Sequence, residues 1–113
     1  MKRGEEAEHL AERFLIGQGL RVVKRNYRCR GGEIDLVCQD GATLVFVEVR
    51  MRGNTRFGGA GASITAAKQR RIVLAARHYL AGKQERPCRF DAVLLDSLNV
   101  DSIEWIRNAF DAS

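Results

Sequence analysis

Apolar residues recur along the chain at two periods, and the period separates helices from strands. Helical spacing near the start predicts an amphipathic helix with an apolar face made of Ala7, Leu10, Ala11, Phe14 and Leu15. The same spacing predicts a second helix over 63–81, with Ser63 or Thr65 as its N-cap. Two amphipathic helices are therefore expected.

Alternating or continuously apolar segments predict five strands. They cover residues 20–27, 33–38, 43–50, 89–96 and 102–110. The pair Asp40 and Gly41 predicts a tight hairpin between the second and third strands. Because a helix connects the third strand to the fourth, these two strands should be parallel. The order αβββαββ predicts a mixed α/β sheet with helices packed on it.

Length and cysteine content restrict the class of protein. A chain of 113 residues with 45% hydrophobic content predicts one compact domain over residues 1–113. The three cysteines are odd in number and form no CxxC pair, which favours neither a disulfide framework nor a zinc site. No apolar leader or membrane span is evident, so we expect a cytoplasmic protein. The net charge of +5 favours a polyanionic partner.

Two acidic residues, Asp35 and Glu48, interrupt the most apolar strands. A turn at the Asp-Gly pair predicts that Asp35 lies opposite Phe46 and that Glu33 lies opposite Glu48. Asp35, Glu48 and Arg50 then share one face of the sheet. The other face, toward the main core, is predicted to carry Ile34, Leu36, Val45, Val47 and Val49.

Two carboxylates on one partly apolar face repel each other unless a cation or proton compensates. Oxygen ligands of this kind suit Mg²⁺ or Mn²⁺, and such ions support phosphodiester chemistry. The alternative is a solvated face of an antiparallel sheet, on which Arg50 or Arg52 pairs with Glu48 at the surface. Spacing alone leaves both interpretations open.

Several motifs, taken in order, resemble one bacterial family. The segments are "GGEIDLV", "LVFVEVRMR", "FGGAGASITAAKQRRI", "RFDAVLL" and "IRNAF", which span nearly the whole chain. They resemble the YraN-like family of predicted endonucleases, placed in the restriction-endonuclease-like PD-(D/E)XK superfamily near Holliday-junction resolvases. The resemblance implies a restriction-endonuclease-like fold and divalent-metal-dependent cleavage of DNA, with Asp35 and Glu48 as ligands of Mg²⁺ or Mn²⁺.

The resemblance also implies a carboxylate on the first helix. Matching Phe14 and Leu15 to the family's pattern places Glu8 at the family's glutamate. Glu5 and Glu12 lie near the same helical side, so the assignment stays open among the three. The alternative for all three is a solvated helix face.

Arg50 departs from the family motif, which has lysine at this position. Arginine stays charged and offers a fork suited to phosphate, so Arg50 cannot act as a general base. Lys68 matches the lysine of the family's following helix and is a second candidate for the amine, with Gln69 beside it. The alternative is an exposed first helical turn made of Lys68, Gln69, Arg70 and Arg71.

The basic residues near these motifs are candidates for contact with a DNA backbone. They include Arg21, Lys24, Arg25, Arg28, Arg30, Arg52 and Arg56. For nucleic-acid contacts we select Arg25, Arg28, Arg52, Gln69 and Arg71, although solubilising charge would explain the same pattern. A glycine-rich segment at 53–61 predicts an irregular loop near the site.

Three hypotheses follow for function. The first is a metal-dependent DNA endonuclease acting on branched or processed DNA, for which a homodimer would suit a symmetrical junction. The second is a catalytically impaired nucleic-acid-binding module of the same fold. The third is a protein-interaction domain with a fortuitous acidic pair. The departure at Arg50 separates the first two.

Overall fold

The computed structural model of the protein describes residues 3–52 and 64–112. The elements follow the predicted order with one addition, a short 3₁₀ helix before the last strand. They are α1 (Arg3–Gly17), β1 (Arg21–Cys29), β2 (Gly32–Asp40), β3 (Thr43–Met51), α2 (Ala66–Leu80), β4 (Cys88–Leu95), the 3₁₀ helix (Val100–Ser102) and β5 (Ile103–Phe110). The loop predicted at 53–61, Arg56 and the alternative cap Ser63 lie outside the described residues.

Both helices pack an apolar face on the sheet, as their spacing predicts. The α1 face buries Ala7, Ala11 and Leu15, and the α2 face buries Ile72, Ala75 and Ala76. Thr65 is the N-cap of α2, where its hydroxyl oxygen accepts the N–H of Lys68 at 3.1 Å. Across residues 3–52 and 64–112, no helix has both the length and the apolar character of a membrane-spanning segment.

The five strands form one mixed sheet in the order β1-β2-β3-β4-β5. Only the β3–β4 pair is parallel, which confirms the prediction made from the helical crossover. One apolar core lies between α1 and the sheet, and a second lies between α2 and the sheet. This five-stranded sheet with two flanking helices agrees with the restriction-endonuclease-like fold that was predicted.

The register of the β2–β3 hairpin differs from the prediction by two residues. Phe46 lies opposite Val37, where the sequence predicts Asp35. Gly41 and Ala42 form the turn, one position further along than predicted. The φ of Gly41 is 60°, which suits the first central position of a type II′ turn. Because the shift is an even number of residues, the side chains of β3 keep their predicted faces.

A second correction concerns the alternation of β2, which is interrupted at Asp35. Leu36 and Cys38 pack in the core on the α1 side, whereas Ile34 lies in the core on the α2 side. Strict alternation predicts Ile34 on the same side as Leu36, so that prediction is wrong. On β1 the adjoining residue Asn26 has a left-handed φ of 50°. Both strands therefore leave regular geometry at this point.

Candidate active site

The candidate site lies where β2 and β3 stop pairing with each other. Their pairing ends at Leu36 opposite Val47, although β2 continues along β1 and β3 continues along β4. Beyond that point the Oδ2 atom of Asp35 accepts a hydrogen bond from the backbone N–H of Val49 at 2.8 Å. A side chain thus satisfies an amide that a carbonyl would satisfy in an unbroken antiparallel ladder. This bond fixes Asp35 between the two strands.

Glu48 occupies the adjoining position on β3 and is almost fully buried, with 2% of its surface exposed. The Nζ atom of Lys68 lies 3.4 Å from its Oε2 atom, as an ion pair. That contact lacks hydrogen-bond geometry, so Oε2 has no hydrogen-bond partner among the described residues. A buried acceptor of this kind loses its hydration without full replacement, which is costly.

The carboxyl groups of Asp35 and Glu48 lie close enough to share a hydrogen bond when one is protonated. Burial is the main cause that raises the pKa of Glu48 far above its usual value, and the Asp35 carboxyl raises it further. The charges of Lys68 and Arg50 oppose this increase. The pair therefore needs either a shared proton or a neighbouring cation.

Lys68, in the first turn of α2, lies between two carboxylates. Its Nζ atom is 3.2 Å from Oε1 of Glu33 and 3.4 Å from Oε2 of Glu48. The hydrogen bond to Lys68 is the main cause that lowers the pKa of Glu33. The other oxygen of Glu33, Oε2, is 3.7 Å from Nε of Arg28. The structure thus brings Lys68 to the predicted acidic pair.

Arg50 lies two residues after Glu48 on β3 and is exposed. Its charge lowers the pKa of Glu48, which places it near the acidic pair. No carboxylate of residues 3–52 or 64–112 lies within 4.0 Å of its guanidinium. Arg50 is therefore available to a ligand at the surface of the site.

On α1 the structure favours Glu8 among the three candidate glutamates. Glu8 is half-buried, and its pKa is raised first by burial and then by the nearby Asp35 carboxylate. A hydrogen bond with the side chain of Asn26 opposes that increase. Glu12 instead forms an ion pair with Arg25, whose Nε lies 2.6 Å from Oε1 of Glu12. The third candidate, Glu5, is exposed.

The donor set fits a hard divalent cation with few protein ligands. Asp35 and Glu48 offer carboxylate oxygens, and Oε2 of Glu48, which has no hydrogen-bond partner among the described residues, is an acceptor that a cation would satisfy. The described ranges contain no group of three or more His, Cys, Asp or Glu residues placed to hold a metal ion. An ion such as Mg²⁺, which commonly keeps several waters and takes one or two carboxylates, suits this arrangement.

Four of the five residues selected for nucleic-acid contact already have partners within the protein, since Arg28 pairs with Glu33 as described above. Arg52 binds Asp96 at 2.9 Å and Glu104 at 2.7 Å. The side-chain amide of Gln69 donates to the carbonyl of Ile64 at 3.1 Å, and Arg25 pairs with Glu12 as described above. Arg28 is nevertheless exposed, as is the fifth residue, Arg71. Contact between these residues and nucleic acid stays a prediction.

Sequence reasoning missed the role of Glu33 beside Lys68. Glu33 was placed opposite Glu48 by the wrong register, and nothing in the sequence brings it to a residue 35 positions away. One signal was present, because Glu33 lies two residues before Asp35 in the same motif. The contact itself depends on how α2 packs on β2.

Fold and site together define a mixed α/β protein with a carboxylate pair, Asp35 and the buried Glu48, at a break between two strands. The chain belongs to the uncharacterised protein family UPF0102, whose model matches residues 7–95. This confirms membership of the YraN-like family predicted from the motifs. The matched range contains α1 from Ala7 onward, strands β1 to β4 and α2, and hence every residue of the candidate site.

Relatives of similar length share most of the sequence. The chain is 61% identical over 109 residues to a UPF0102 protein of Methylobacillus flagellatus, with 96% of each chain covered. It is 64% identical over 110 residues to a UPF0102 protein of Dechloromonas aromatica, covering 97% of this chain and 89% of the relative. A UPF0102 protein of Aeromonas hydrophila is 53% identical over 112 residues, with 96% and 84% covered. These names state a family and no activity.

Proposed function

We propose that this protein is a divalent-metal-dependent DNA endonuclease that hydrolyses phosphodiester bonds, with branched DNA among its substrates. The observation that carries the proposal is the environment of Glu48, which is 2% exposed and lies beside a second carboxylate, and whose Oε2 has an ion pair with Lys68 but no hydrogen-bond partner among the described residues. Such a pair weakens the folded state unless a ligand compensates it, and perturbed carboxylates of this kind cluster at functional sites.

Asp35 and Glu48 are the residues that would hold Mg²⁺ or Mn²⁺. When bound, such an ion polarises a phosphoryl group and lowers the pKa of an attacking water. The bond from the Val49 N–H keeps the Asp35 carboxylate in one orientation, so the pair is arranged before substrate arrives. Glu8, half-buried beside Asp35, adds an acceptor that can hold a water at the edge of the site.

Lys68 and Arg50 together take the roles that one lysine has in the family motif. Lys68 has its amine 3.4 Å from Glu48, where it can donate to a phosphate oxygen or a water. Arg50 is exposed and permanently charged, so it can bind the phosphate and stabilise negative charge that develops on it. Although arginine replaces the motif lysine at position 50, the site still contains an amine, that of Lys68.

The charge of the protein supports a polyanionic substrate. The net charge is +5, and the exposed Arg28 and Arg71 both lower the pKa of Glu33, which places them beside the site. Basic side chains that flank a carboxylate pair in this way can hold the DNA backbone on both sides of the reacting phosphate.

A cleavage panel tests the proposal. Linear, flapped and four-way DNA of the same sequence would be incubated with Mg²⁺ or Mn²⁺, and initial rates measured for the wild type and Asp35→Asn prepared in parallel. We expect cleavage by the wild type, none with EDTA, and a loss on the order of 1,000-fold in Asp35→Asn because a ligand is removed. Equal cleavage by both preparations would identify a contaminating nuclease and contradict the proposal.

The alternative is a nucleic-acid-binding module of the same fold that performs no chemistry. The observation that favours it is that position 50, where the family motif has lysine, is arginine in this chain. Under this alternative the wild type and Arg50→Lys would both be inert on every DNA form, while Asp35→Asn would bind DNA as tightly as the wild type. Binding that falls steeply with salt is expected under both hypotheses.

A further inference from the structure

Glu33 is the residue that contacts Lys68 with hydrogen-bond geometry inside the candidate site. Its Oε1 atom accepts from Nζ of Lys68 at 3.2 Å, whereas the longer contact of Lys68 with Glu48 is an ion pair without that geometry. A lysine amine sits on a flexible four-carbon stem, so its position depends on its partners. In this site Glu33 is the partner that accepts a hydrogen bond from it.

The packing of α2 on β2 brings these two residues together. At Gly32 an added Cβ would lie 2.4 Å from the carbonyl oxygen of Arg71 and 3.1 Å from Cβ of Ala75. No side chain fits there, so the start of β2 rests directly on α2. Glu33 follows at once in β2, and Lys68 lies one helical turn before Arg71. The packing of α2 on β2 therefore places Glu33 and Lys68 in contact.

The two side chains are also partly sheltered from water. Lys68 is 21% exposed and Glu33 is 33% exposed, while Glu48 beyond them is 2% exposed. Arg28 lies near the second oxygen of Glu33, which limits the ways in which the carboxylate can turn. An ion pair held on both sides and partly shielded keeps its geometry better than a solvated pair.

We propose that Glu33 is a positioning residue that holds the amine of Lys68 at Glu48, so that Lys68 takes the place of the lysine missing from position 50. The proposal rests on the proposed nuclease function. Glu33 acts through Lys68 and does not itself contact the reacting phosphate. Removing Glu33 should therefore leave the acidic pair intact and misplace the amine.

A double-mutant cycle with DNA cleavage as its readout tests whether Glu33 acts through Lys68. Glu33→Gln should lower kcat on the order of 100-fold, which is the cost of a small misplacement of a catalytic group, and change the KM for DNA by less than about twofold. Glu33→Asp, which keeps the charge, should recover part of the rate. In a Lys68→Ala background, Glu33→Gln should have no further effect, because the residue it acts through is gone.

Glu85→Gln is the matched control for loss of one negative charge. Glu85 is exposed and precedes β4, whose first residue Cys88 pairs with Leu44 at the start of β3. It therefore lies beyond the start of β3, whereas Glu48 is four residues further along that strand than Leu44. Its substitution should leave kcat and KM unchanged, and the unfolding temperatures of all single variants should lie within a few degrees of the wild type.

A readout independent of cleavage is the side-chain NMR signal of the Lys68 ammonium, assigned by its loss in Lys68→Ala. We expect slow hydrogen exchange at this amine in the wild type and in Glu85→Gln, and faster exchange in Glu33→Gln. An exchange rate that Glu33→Gln leaves unchanged would overturn the positioning role. So would a wild-type kcat in Glu33→Gln, or equal losses from Glu33→Gln with and without Lys68.

The same measurements separate failure of this inference from failure of the proposed function. A wild type that cleaves no DNA, combined with Lys68 exchange that depends on Glu33, would support the positioning contact and overturn the nuclease function. A wild type that cleaves DNA, combined with exchange that is independent of Glu33, would support the nuclease and overturn the positioning role.

Discussion

Two buried carboxylates on neighbouring strands have opposite surroundings. Glu48 on β3 and Asp91 on β4 are the buried charged residues of the described ranges, at 2% and 0% exposure. Asp91 accepts hydrogen bonds from Arg89 Nε at 3.1 Å, Trp105 Nε1 at 3.0 Å and the N–H of Asn108 at 3.1 Å. Glu48 has a second carboxylate beside it, and its Oε2 has no hydrogen-bond partner among the described residues.

The contrast shows that burial of a charge does not by itself indicate function. The β4–β5 pairing shifts register between Phe90 and Ala92, and Asn108 on β5 has a φ of 52°. Asp91 accepts the amide that this irregularity frees, so its donors are part of the fold. Among the described residues, Oε2 of Glu48 has the ion pair with Lys68 but no hydrogen-bond donor. Asp91 therefore stabilises β5, whereas Glu48 keeps a free acceptor, which the proposed function assigns to a cation.

The largest effect that we expect is on stability, from Asp91→Ala. Removing this carboxylate leaves Arg89 Nε, Trp105 Nε1 and the Asn108 amide without this acceptor, although Arg89 keeps Asp40, and should lower the free energy of unfolding by about 3–5 kcal/mol. Glu48→Gln should leave stability unchanged or raise it, because it removes a poorly compensated charge. Urea denaturation of both variants measures the difference. Equal decreases in the free energy of unfolding of the two variants would show that Asp91 and Glu48 do not differ in their contribution to stability.

The next effect is a difference in pH dependence between the wild type and Glu48→Gln. The pKa of Glu48 is raised in the folded protein above its ordinary 4.5, chiefly by burial. At a pH between the ordinary pKa and the raised pKa of the folded protein, Glu48 keeps its proton in the folded state and has lost it in the unfolded chain. The stabilisation is thus complete below the ordinary pKa and is lost as pH rises toward the raised value.

In numbers, wild-type stability should fall relative to Glu48→Gln by up to about 1.4 kcal/mol per pH unit within that window. Urea denaturation in EDTA from pH 5 to pH 8 would measure both curves. Curves that stay parallel would show that Glu48 titrates normally. The environment of Glu48 would then resemble a compensated site such as that of Asp91.

A smaller effect should follow from adding a divalent cation. At Mg²⁺ or Mn²⁺ concentrations ten times the dissociation constant, binding to the folded state alone adds about 1.4 kcal/mol to the free energy of unfolding. Asp35→Asn and Glu48→Gln should each abolish this gain, while Glu85→Gln should keep it. Thermal denaturation at constant ionic strength measures the change. A gain that survives both site substitutions would place the cation elsewhere.

The sequence predicted those parts of the fold that depend on local pattern. Helical spacing located α1 and α2, Thr65 was one of two predicted caps, and the crossover helix predicted the parallel β3–β4 pair. The register of the hairpin was wrong because the Asp-Gly signal placed the turn one residue early. The side of Ile34 was wrong because alternation stops at Asp35, where a side-chain bond to Val49 replaces regular pairing.

For the site, the hairpin prediction placed Asp35 near Glu48 despite the wrong register, because an even shift keeps Glu48 on its predicted face of β3; the break in alternation at Asp35 was not predicted. Contacts over long sequence separations were not predictable in the same way. The pairing of Glu33 with Lys68 depends on the close approach of α2 at Gly32, and the donors around Asp91 depend on an irregularity in β5. Patterns in sequence report which face a residue takes, whereas partners across elements depend on packing.

The smallest effect that we expect concerns Arg50, where the chain departs from its family's motif. Arg50 is exposed and Lys68 already has its amine 3.4 Å from Glu48, so a lysine at position 50 would add a second amine rather than supply a missing one. Arg50→Lys should therefore cleave DNA at or above the wild-type rate, within about a factor of ten, or about 1.4 kcal/mol in the barrier.

Two further substitutions show which residue supplies the amine. Arg50→Ala should lower the rate through lost phosphate contact, and Lys68→Ala should lower it more, mainly in kcat, because its interaction matters most in the transition state. Single-turnover rates on the best DNA form from the panel would measure all three variants. If Arg50→Lys were faster by several orders of magnitude and Lys68→Ala were neutral, the motif position itself would control the chemistry. The ion pair between Lys68 and Glu48 would then be a structural contact, as the bonds of Asp91 are.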